Sequence, residues 1–297
     1  MISFLIPTCN FDCTKLVKAI WKQADALRNE LKAEFDFEII VSDDASNEKD
    51  IIKALQNGIA SMPDCHLVLQ PQRLGRASNR NALIRESRFP WKIFMDADAE
   101  VYTTNFVACY WESRNKADVI CGSILPGEPR KGCELRYRYE LLASENMTAE
   151  RRNKLPYHRF TAFNVMLGEK ASKKVCFDEN CKEYGHEDTL FGMTLLEAKL
   201  TVLHIDNPLV HTGIDTNAEF LEKTETALKS LSRLPQLQEV VGSSRIYKRF
   251  RSLWLTPILT LSFRLFKSLM RRNLLGRHPS IFLLNCYKLL FYSALKQ

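Results

Sequence analysis

The clearest chemical signal in this chain is a pair of aspartates two positions apart. Asp96 and Asp98 directly follow Ile93-Phe94-Met95, an apolar run typical of a buried strand. On an extended segment, residues two apart direct their side chains to the same side. Two carboxylates aimed together repel each other unless a cation joins them, and hard oxygen ligands suit Mg²⁺ or Mn²⁺. The pair therefore predicts a divalent-metal site, and the alternative is two solvated turn residues.

Two further polar clusters come earlier in the chain, and each follows a short apolar run. Thr8 and Asn10 follow the first run, and Asp43 and Asp44 follow the second. Hydroxyl, amide and carboxylate groups of this kind can form hydrogen bonds with a polar ligand. They are therefore candidates for the same polar site as the aspartate pair.

Three arginines around Gly75 are candidates for contact with phosphate. Arg73, Arg76 and Arg80 are spaced by three and four residues, and guanidinium groups suit phosphate oxygens. No glycine-rich phosphate loop follows the first apolar run, which weighs against an NAD-linked Rossmann enzyme and a P-loop NTPase. A phosphorylated ligand would then need the metal and basic side chains to neutralise its charge. The alternative is that the three arginines form a solvated helix face.

The elements that must position these residues alternate along the first half of the chain. The strands predicted from apolar runs are residues 2–6, 37–41, 66–69 and 92–95; the helices predicted from apolar spacing are residues 16–31, 48–57 and 77–87. We expect Asp12 or Thr14 to cap the first helix and Gly58 to close the second. The alternation is typical of a mainly parallel, Rossmann-like α/β sheet flanked by helices. In such sheets the ligand lies beyond the carboxyl ends of the strands, where the polar clusters fall.

Composition narrows the class of protein. The 297 residues are 45% hydrophobic and 26% charged, which is ordinary globular usage and excludes a disordered tail, a collagen-like fibre and a multi-span membrane protein. The nine cysteines are irregularly spaced and form no CxxC pair, so we expect free thiols and no zinc site. The first residues show no basic leader before an apolar core, and no stretch is long and apolar enough to span a membrane.

Charge is distributed unevenly along the sequence. Of the 42 Lys and Arg residues, 11 lie in residues 245–297, which contain no Asp or Glu, so residues 1–244 hold 31 basic and 35 acidic residues. In this tail Arg264, Lys267, Arg271 and Arg272 recur at helical spacing, and we expect Leu261, Leu265, Phe266 and Leu269 on the other side. This pattern predicts a basic amphipathic helical segment that lies on an anionic membrane. The alternatives are helices packed on the catalytic body and a nucleic-acid-binding segment.

Four sequence blocks resemble family-2 glycosyltransferases of the GT-A fold. They are Pro7-Thr8-Cys9-Asn10, Ile39-Ile40-Val41-Ser42-Asp43-Asp44-Ala45-Ser46, Leu74-Gly75-Arg76-Ala77-Ser78-Asn79-Arg80-Asn81 and Phe94-Met95-Asp96-Ala97-Asp98. The resemblance extends over about residues 1–125 and implies a GT-A fold that binds a nucleotide-sugar, most simply a UDP-sugar. It implies that Asp44 contacts the base, that Asp96 approaches the ribose, and that Asp98 binds the metal that bridges the diphosphate. The full implied donor site is Pro7, Thr8, Asn10, Asp43, Asp44, Arg73, Arg76, Arg80, Asp96, Ala97 and Asp98.

The second half resembles the acceptor side of the same family. Residues 160–166, with Asn164 among them, resemble the strand that crosses the acceptor site. Tyr184-Gly185-His186-Glu187-Asp188 resembles the family's Glu-Asp motif, which implies that Asp188 is the general base, assisted by Glu187. Asn164, Tyr184, Gly185 and His186 are then the implied acceptor contacts. The resemblance also implies that His211, at the end of a predicted strand, completes the Mn²⁺ or Mg²⁺ shell with Asp98. Without the resemblance, Glu187 and Asp188 are equally well explained as acidic residues at a helix N-terminus.

These features together predict a metal-dependent, inverting hexosyl- or N-acetylhexosaminyltransferase that acts in cell-surface polysaccharide assembly. Residues 1–125 would bind the nucleotide-sugar, residues 126–244 a saccharide or lipid-linked saccharide acceptor, and residues 245–297 an anionic membrane. We expect a cytoplasmic enzyme, peripheral on the inner face of the cell membrane, with no nucleic-acid partner. The alternatives are a non-catalytic membrane-associated nucleotide-sugar-binding protein and a sugar-phosphate nucleotidyltransferase. The second normally carries a glycine-rich loop that this chain lacks.

Overall fold

The structure is a computed structural model that describes residues 1–59, 61–180, 186–233 and 256–295. The chain divides into two compact units. The first comprises Met1–Pro126, Ser144–Lys182 and Glu187–Gly213, and the second comprises Gly127–Ala143, Glu183–His186 and Ile214–Gln297. The functional division at residues 125 and 244 stays a prediction.

The described strands of the first unit form one eight-stranded sheet. They are β1 (Ile2–Thr8), β2 (Phe37–Asp43), β3 (Cys65–Leu69), β4 (Trp91–Met95), β5 (Ala99–Val101), β6 (Val119–Pro126), β7 (Asn164–Leu167) and β8 (Val202–His211). Their order in the sheet is β3-β2-β1-β4-β7-β6-β8-β5. The pairs β1/β2, β1/β4, β2/β3 and β6/β8 are parallel, whereas β4/β7, β6/β7 and β5/β8 are antiparallel. The mainly parallel α/β architecture is therefore confirmed.

The strand register places the predicted polar clusters at the end of the sheet where β1, β2 and β4 finish. Thr8 at the end of β1 lies opposite Asp43 at the end of β2, and Leu5 of β1 lies opposite Phe94 of β4. Because these three strands are parallel, their carboxyl ends face the same way. The residues after β4 therefore leave the sheet on the same side as those after β1 and β2.

Apolar side chains cover both faces of the sheet. Ile93 and Met95 of β4 belong to one buried cluster, and Phe94 between them belongs to a second. Neighbouring strand residues point to opposite faces, so a strand that is apolar throughout must be buried on both sides. This explains why the strands appear in the sequence as continuous apolar runs.

Seven helices accompany the sheet in the described part of the first unit, and an eighth crosses its boundary. They are α1 (Thr14–Leu31), α2 (Lys49–Ile59), α3 (Arg76–Glu86), α4 (Phe106–Ser113), α6 (Ala149–Asn153), α7 (Glu169–Lys174) and α8 (Glu187–Glu197); α5 (Glu134–Asn146) runs from the second unit into the first. The Asp12 carboxylate accepts a hydrogen bond from the Thr14 backbone N–H at the start of α1, at 2.9 Å. The prediction that Gly58 ends α2 is wrong. Gly58 lies inside the helix, which extends to Ile59, and a glycine suits this position because a Cβ there would come within 2.4 Å of the Thr14 side chain.

The second unit is helical in its described part. Helices α9 (Asn217–Arg233), α10 (Thr256–Leu274) and α11 (Ile281–Leu295) contribute to a buried apolar cluster that includes Phe220, Phe263, Leu274 and Tyr287. The predicted C-terminal helical segment is thus present in residues 256–295, and residues 245–255 lie outside the described residues. No helix among the described residues combines enough length and apolarity to cross a bilayer.

Every cysteine among the described residues is a free thiol, as the sequence predicted, and Cys181 lies outside them.

Candidate functional site

The turn after β4 gives the two predicted aspartates different partners. Asp96 and Asp98 lie between β4 and β5, where the Ala99 N–H donates to the Asp96 carbonyl oxygen at 3.1 Å. Asp96 Oδ1 accepts a hydrogen bond from Arg80 Nη2 at 2.9 Å, whereas Asp98 Oδ2 lies 3.1 Å from His211 Nε2. The prediction of an extended segment is therefore wrong, because the chain turns here to start β5.

Strand pairing brings His211 to Asp98. In the antiparallel pair of β5 and β8, Ala99 lies opposite His211. The next residue, Thr212, donates from its backbone N–H and its Oγ1 to the Asp98 carbonyl oxygen, at 2.9 and 2.7 Å. Burial opposes ionisation of Asp98, but the hydrogen bond and charge of His211 outweigh it and lower the pKa of this carboxyl. Asp98 is therefore a carboxylate at neutral pH, held through both its backbone and its side chain.

The Asp98 and His211 side chains fit a divalent cation as a two-ligand site. A carboxylate oxygen and an imidazole nitrogen are both ligands for Mn²⁺, and their separation of 3.1 Å allows both to contact one ion. No group of three or more Asp, Glu, His or Cys side chains suited to a metal occurs in the described ranges. Metal ions at phosphate-binding sites often take only one or two protein ligands and complete their shell with phosphate oxygens and water. The pair therefore suits a metal that binds together with a phosphorylated ligand.

Gly213 lies directly against the Asp98 side chain. A Cβ at position 213 would come within 2.2 Å of Asp98 Oδ2 and 2.8 Å of Asp98 Cβ. Such a distance is far inside van der Waals contact, and the side chain it would meet is already tied to His211. Residues 211, 212 and 213 therefore position Asp98 together, and only glycine fits at the last of them.

We expect Gly213→Ala to displace the Asp98 carboxylate. Overpacking of this kind costs about 1–3 kcal/mol of unfolding free energy, and thermal denaturation would measure the loss. Addition of Mn²⁺ with a nucleoside diphosphate should raise the Tm of the wild type and leave that of the variant unchanged. A double-mutant cycle with Asp98→Gly provides the control, because Gly213→Ala should cost little once the Asp98 side chain is absent. An equal cost in both backgrounds would contradict this prediction.

Asp188 is held at the start of α8 by two hydrogen bonds to one of its oxygens. Oδ2 accepts from Thr161 Oγ1 at 3.0 Å and from the Ala162 backbone N–H at 3.1 Å. Oδ1 is buried and has no hydrogen-bond partner among the described residues; it lies 3.8 Å from Arg80 Nη1. One oxygen thus fixes the orientation of the carboxylate, and the other makes no hydrogen bond to a described residue.

Arg80 joins Asp188 to Asp96. Its side chain is 4% exposed, and its guanidinium group lies over the Phe177 ring, 5.3 Å from the centroid. Nη2 binds Asp96, while Nε and Nη1 are buried without a hydrogen-bond partner in the part of the chain that the structure describes. A buried guanidinium with unsatisfied donors is costly unless a ligand or water completes its hydrogen bonds. These two unsatisfied donors of Arg80 therefore indicate a polar ligand between the turn after β4 and the start of α8.

Burial and neighbouring charges set the protonation of Asp188. Burial raises the pKa of this carboxyl most strongly, the positive charge of Arg80 lowers the pKa, and the negative charges of Glu187 and Asp96 raise it again. The net result is a raised pKa. A carboxylate with a raised pKa is a better base than an ordinary aspartate, provided that the medium keeps it ionised.

The two remaining arginines lie closer to the surface than Arg80. Arg76 Nη1 is 3.4 Å from Glu187 Oε1. The positive charge of Arg76 also lowers the pKa of Asp98. Arg73 is exposed. The three arginines therefore do not form one solvated face, because Arg80 is buried between carboxylates while Arg73 and Arg76 remain accessible.

The aspartates after β2 hold loops together. Asp44 accepts from the Leu74 N–H at 2.6 Å and from the Gly75 N–H at 3.0 Å, so it fixes the loop before α3. Asp43 accepts from the Ser46 N–H at 3.0 Å and from the Ser46 hydroxyl. Both carboxylates are buried, yet each keeps lone pairs for one more donor. Their contact with a nucleotide stays a prediction.

The other predicted donor-site residues lie around the same loops. Thr8 Oγ1 donates to the Phe11 carbonyl oxygen at 2.8 Å, and Asn10 Oδ1 accepts from the Asn47 N–H at 3.0 Å. Pro7 is half-buried at the end of β1, and Ala97 is buried in the turn after β4. All four are at or beyond the carboxyl ends of the strands, as the sequence predicted.

The structure describes two of the four predicted acceptor contacts, Asn164 and His186. Asn164 is fully buried: its Oδ1 accepts from Tyr110 Oη at 2.7 Å, and its Nδ2 donates to the carbonyl oxygens of Ser123 and Asn207 at 3.0 and 2.8 Å. We therefore assign Asn164 to the interior of the sheet rather than to acceptor binding. A His186 ring nitrogen lies 2.9 Å from the Ala227 carbonyl oxygen. Tyr184 and Gly185 lie outside the described residues.

The residues that orient the candidate site residues were not predicted from the sequence. Thr161 and Ala162 hold Asp188, Phe177 underlies Arg80, and Gly213 underlies Asp98. Only Gly213 carried a usable signal, since a glycine two positions after a candidate metal ligand indicates close approach of another group. The others are ordinary residue types whose roles depend on distant partners.

Comparison with known proteins gives a family match and a shared fold. The model of the family described as Glycosyl transferase family 2 matches residues 3–174. Among curated proteins, none matches the chain by sequence. The predicted membership of this family is therefore confirmed, together with a GT-A fold.

Several solved structures are similar in fold. The mannosyltransferase PcManGT from Pyrobaculum calidifontis, in complex with GDP-Man and Mn²⁺, has a TM-score of 0.58 at 14% identity, over 99% of this chain and 85% of that chain. TarS 1-349 from S. aureus has a TM-score of 0.51 at 15% identity, over 99% and 90%. The same TarS protein in complex with UDP has a TM-score of 0.50 at 14% identity, over 99% and 90%. At these identities the similarity establishes the fold alone.

Proposed function

The chain belongs to glycosyltransferase family 2, and from that premise we propose that it is a metal-dependent, inverting enzyme that transfers a sugar from a nucleotide-sugar to a saccharide hydroxyl. The donor is a UDP-sugar, and the product belongs to cell-surface polysaccharide assembly. The observation that supports this most is the buried Arg80, which joins Asp96 after β4 to Asp188 at the start of α8. Complexes of similar folds with GDP-Man and Mn²⁺ and with UDP agree with this donor class.

Asp188 is the proposed general base. The acceptor oxygen attacks the anomeric carbon from the face opposite the diphosphate, the bond from that carbon to the phosphate oxygen breaks, and the nucleoside diphosphate leaves with the bonding electrons. The acceptor hydroxyl proton passes to Oδ1, the Asp188 oxygen without a hydrogen-bond partner among the described residues. Thr161 and Ala162 keep this oxygen aimed by holding Oδ2. Glu187 assists electrostatically, through its ion pair with Arg76.

On the donor side, positive charges face the negatively charged diphosphate. When bound, Mn²⁺ or Mg²⁺ at Asp98 and His211 neutralises charge on the departing diphosphate. Arg76 and Arg73, both exposed, contact the diphosphate oxygens. Asp44 contacts the base, and Asp96 contacts the ribose. Residues 1–125 thus hold the donor, and residues 126–244 hold the acceptor.

The acceptor is a saccharide that a lipid carries at a membrane. Residues 245–297 carry 11 basic and no acidic residues, which suits the anionic inner face of the cell membrane. Peripheral association there would place the enzyme next to a lipid-linked substrate. We therefore propose a peripheral enzyme of the inner leaflet.

A donor panel tests the proposed function. The full chain is incubated with UDP-sugars and GDP-Man, each with and without Mn²⁺, and both thermal stabilisation and release of nucleoside diphosphate are measured. We expect Mn²⁺-dependent stabilisation by one UDP-sugar and release of UDP that saccharide acceptors accelerate. Binding without any hydrolysis or transfer would instead support the alternative of a non-catalytic nucleotide-sugar-binding protein.

The pH profile tests the role of Arg80. Because the pKa of Asp188 is raised, the acidic limb of kcat/KM should lie above the ordinary range of aspartate. Arg80→Gln removes the positive charge that favours the carboxylate and leaves Glu187 and Asp96, so the limb should move to higher pH. Arg80→Lys keeps the charge and should move the limb less. An unchanged limb in Arg80→Gln would refute this electrostatic role.

A further inference from the structure

Helix α10 has two opposite apolar faces. Thr260, Phe263, Met270 and Leu274 are buried and recur at helical spacing. Phe263 contacts Tyr287 and Phe291 of α11, with ring centroids 5.5 and 5.7 Å apart. This first face therefore packs inside the second unit.

The second face is a row of exposed aliphatic side chains, which we call the α10 stripe: Ile258, Leu261, Leu265 and Leu269. These positions are three or four residues apart and lie on one side of a helix. Their exposure runs from 58% for Leu261 to 67% for Leu265. Soluble monomers rarely leave such a contiguous apolar surface uncovered, so the α10 stripe indicates an interaction site.

Further apolar side chains follow the C-terminal end of α10. Leu275 is 42% exposed, and Phe282 in the first turn of α11 is 78% exposed. Exposed apolar side chains therefore also occur beyond the last residue of α10.

The basic residues of α10 differ in what they do. Arg271 pairs with Glu225, and Lys267 lies over the Phe263 ring, 5.5 Å from its centroid, so both serve internal contacts. Arg264 and Arg272 are exposed, the second within the arc of the α10 stripe and the first at its border. Lys267 and Arg271 lie on the side opposite the leucines, as the spacing predicted. Arg264 lies between the two sides, and Arg272 departs from the pattern because it falls within the α10 stripe.

We propose that the α10 stripe, with Arg264 and Arg272 beside it, is a docking surface for an anionic lipid bilayer. Charge complementarity supports a membrane as the occupant. The stripe offers bulky aliphatics to the acyl region and guanidinium groups to lipid phosphates, as interfacial helices do. A second copy of the chain fits less well. A two-fold contact would bring the arginines of both copies together, and residues 245–297 contain no acidic residue to pair with them.

This inference deepens the proposed function, from which it takes the membrane-borne acceptor, but its test needs no donor, metal or acceptor. The full chain is sedimented with vesicles of phosphatidylcholine that contain phosphatidylglycerol, and with vesicles of phosphatidylcholine alone, at about 0.15 M salt. We expect the wild type to sediment with the anionic vesicles. A chain that binds vesicles without sugar transfer would overturn the proposed sugar transfer and leave this inference standing. A chain that transfers sugar without binding vesicles would overturn this inference and the proposed membrane location, and leave the proposed sugar transfer standing.

Two pairs of exposed leucines provide the decisive comparison. Leu265→Gln/Leu269→Gln removes half of the α10 stripe and should weaken vesicle binding by about tenfold or more. Leu142→Gln/Leu155→Gln alters two exposed leucines outside α10, 47% and 51% exposed, and should bind like the wild type. Because all four side chains are largely exposed, the variants should fold, and circular dichroism with thermal denaturation checks this.

Variants of the two arginines, and assays for dimerisation and nucleic-acid binding, complete the test. Arg264→Gln/Arg272→Gln should lose the preference for anionic vesicles. Equal vesicle binding by both leucine pairs would overturn the inference. So would dimerisation in solution that the stripe variant abolishes, or retention on nucleic acid at the expense of vesicles.

Discussion

Asp188→Asn is expected to lower kcat by about 10²–10⁴-fold, the usual contribution of a general base. The amide oxygen can still accept hydrogen bonds from Thr161 and Ala162, so the side chain should keep its position. The amide cannot accept the proton of the acceptor hydroxyl, and the KM for the donor should change little. Initial rates of nucleoside diphosphate release with saturating acceptor measure the effect.

The alternative is that Asp188 only complements the dipole of α8, and a matched variant separates the two roles. Glu169 occupies the first turn of α7 and is exposed, so Glu169→Gln removes a helix N-terminal charge far from the proposed chemistry. Its kcat should match the wild type. Near-wild-type turnover by Asp188→Asn, with an unchanged Tm, would remove the proposed mechanism altogether. A fall in Tm together with unchanged turnover per folded molecule would assign Asp188 to stability.

Asp98→Ala is expected to abolish metal-dependent turnover, with a loss on the order of 10²–10³-fold. Charge stabilisation by a metal is worth several kcal/mol, and about 1.4 kcal/mol corresponds to tenfold in rate. The variant also leaves His211 without its carboxylate partner, which is 3.1 Å away in the structure. Titration of activity with Mn²⁺ should show a large rise in the half-saturating concentration, and the Mn²⁺-dependent thermal shift with UDP should disappear.

A second aspartate on the sheet provides the control for this change. Asp206 lies on β8, the strand that also carries His211, and its side chain is 69% exposed. Asp206→Ala should leave the Mn²⁺ titration unchanged, even if it loosens the contact with Arg152. If Asp98→Ala keeps the wild-type dependence on Mn²⁺, the metal is held elsewhere and the assignment of Asp98 and His211 fails.

Much of the first half of the molecule could be predicted from sequence. Strands β1, β2 and β4 each contain a short, mainly apolar run, and the polar residues that follow these runs are local signals. Parallel strands place their carboxyl ends at one edge, so the general location of Thr8, Asp43 and Asp96 followed from alternation alone. The spacing of Asp96 and Asp98 made them candidates for metal binding, and the family resemblance added Asp188 as the candidate general base.

The geometry of the candidate site could not be predicted in this way. The turn into β5 decides whether Asp96 and Asp98 share a cation or take separate partners. The neighbouring strands β6 and β8 decide whether Asn164 is accessible. Sequence patterns report on neighbours within a few positions along the chain. The partners that decide these roles are tens of residues away.

The sequence by itself therefore determined the family, the order of the elements, the basic tail and the set of chemically capable side chains. The tertiary structure alone decided that Arg80 is buried between Asp96 and Asp188, that Gly213 supports Asp98, and that α10 buries one apolar face and exposes the other. The physical reason is that residue type and periodicity are properties of the local chain. Burial, hydrogen-bond partners and pKa shifts arise only when strand order and helix packing bring distant groups together.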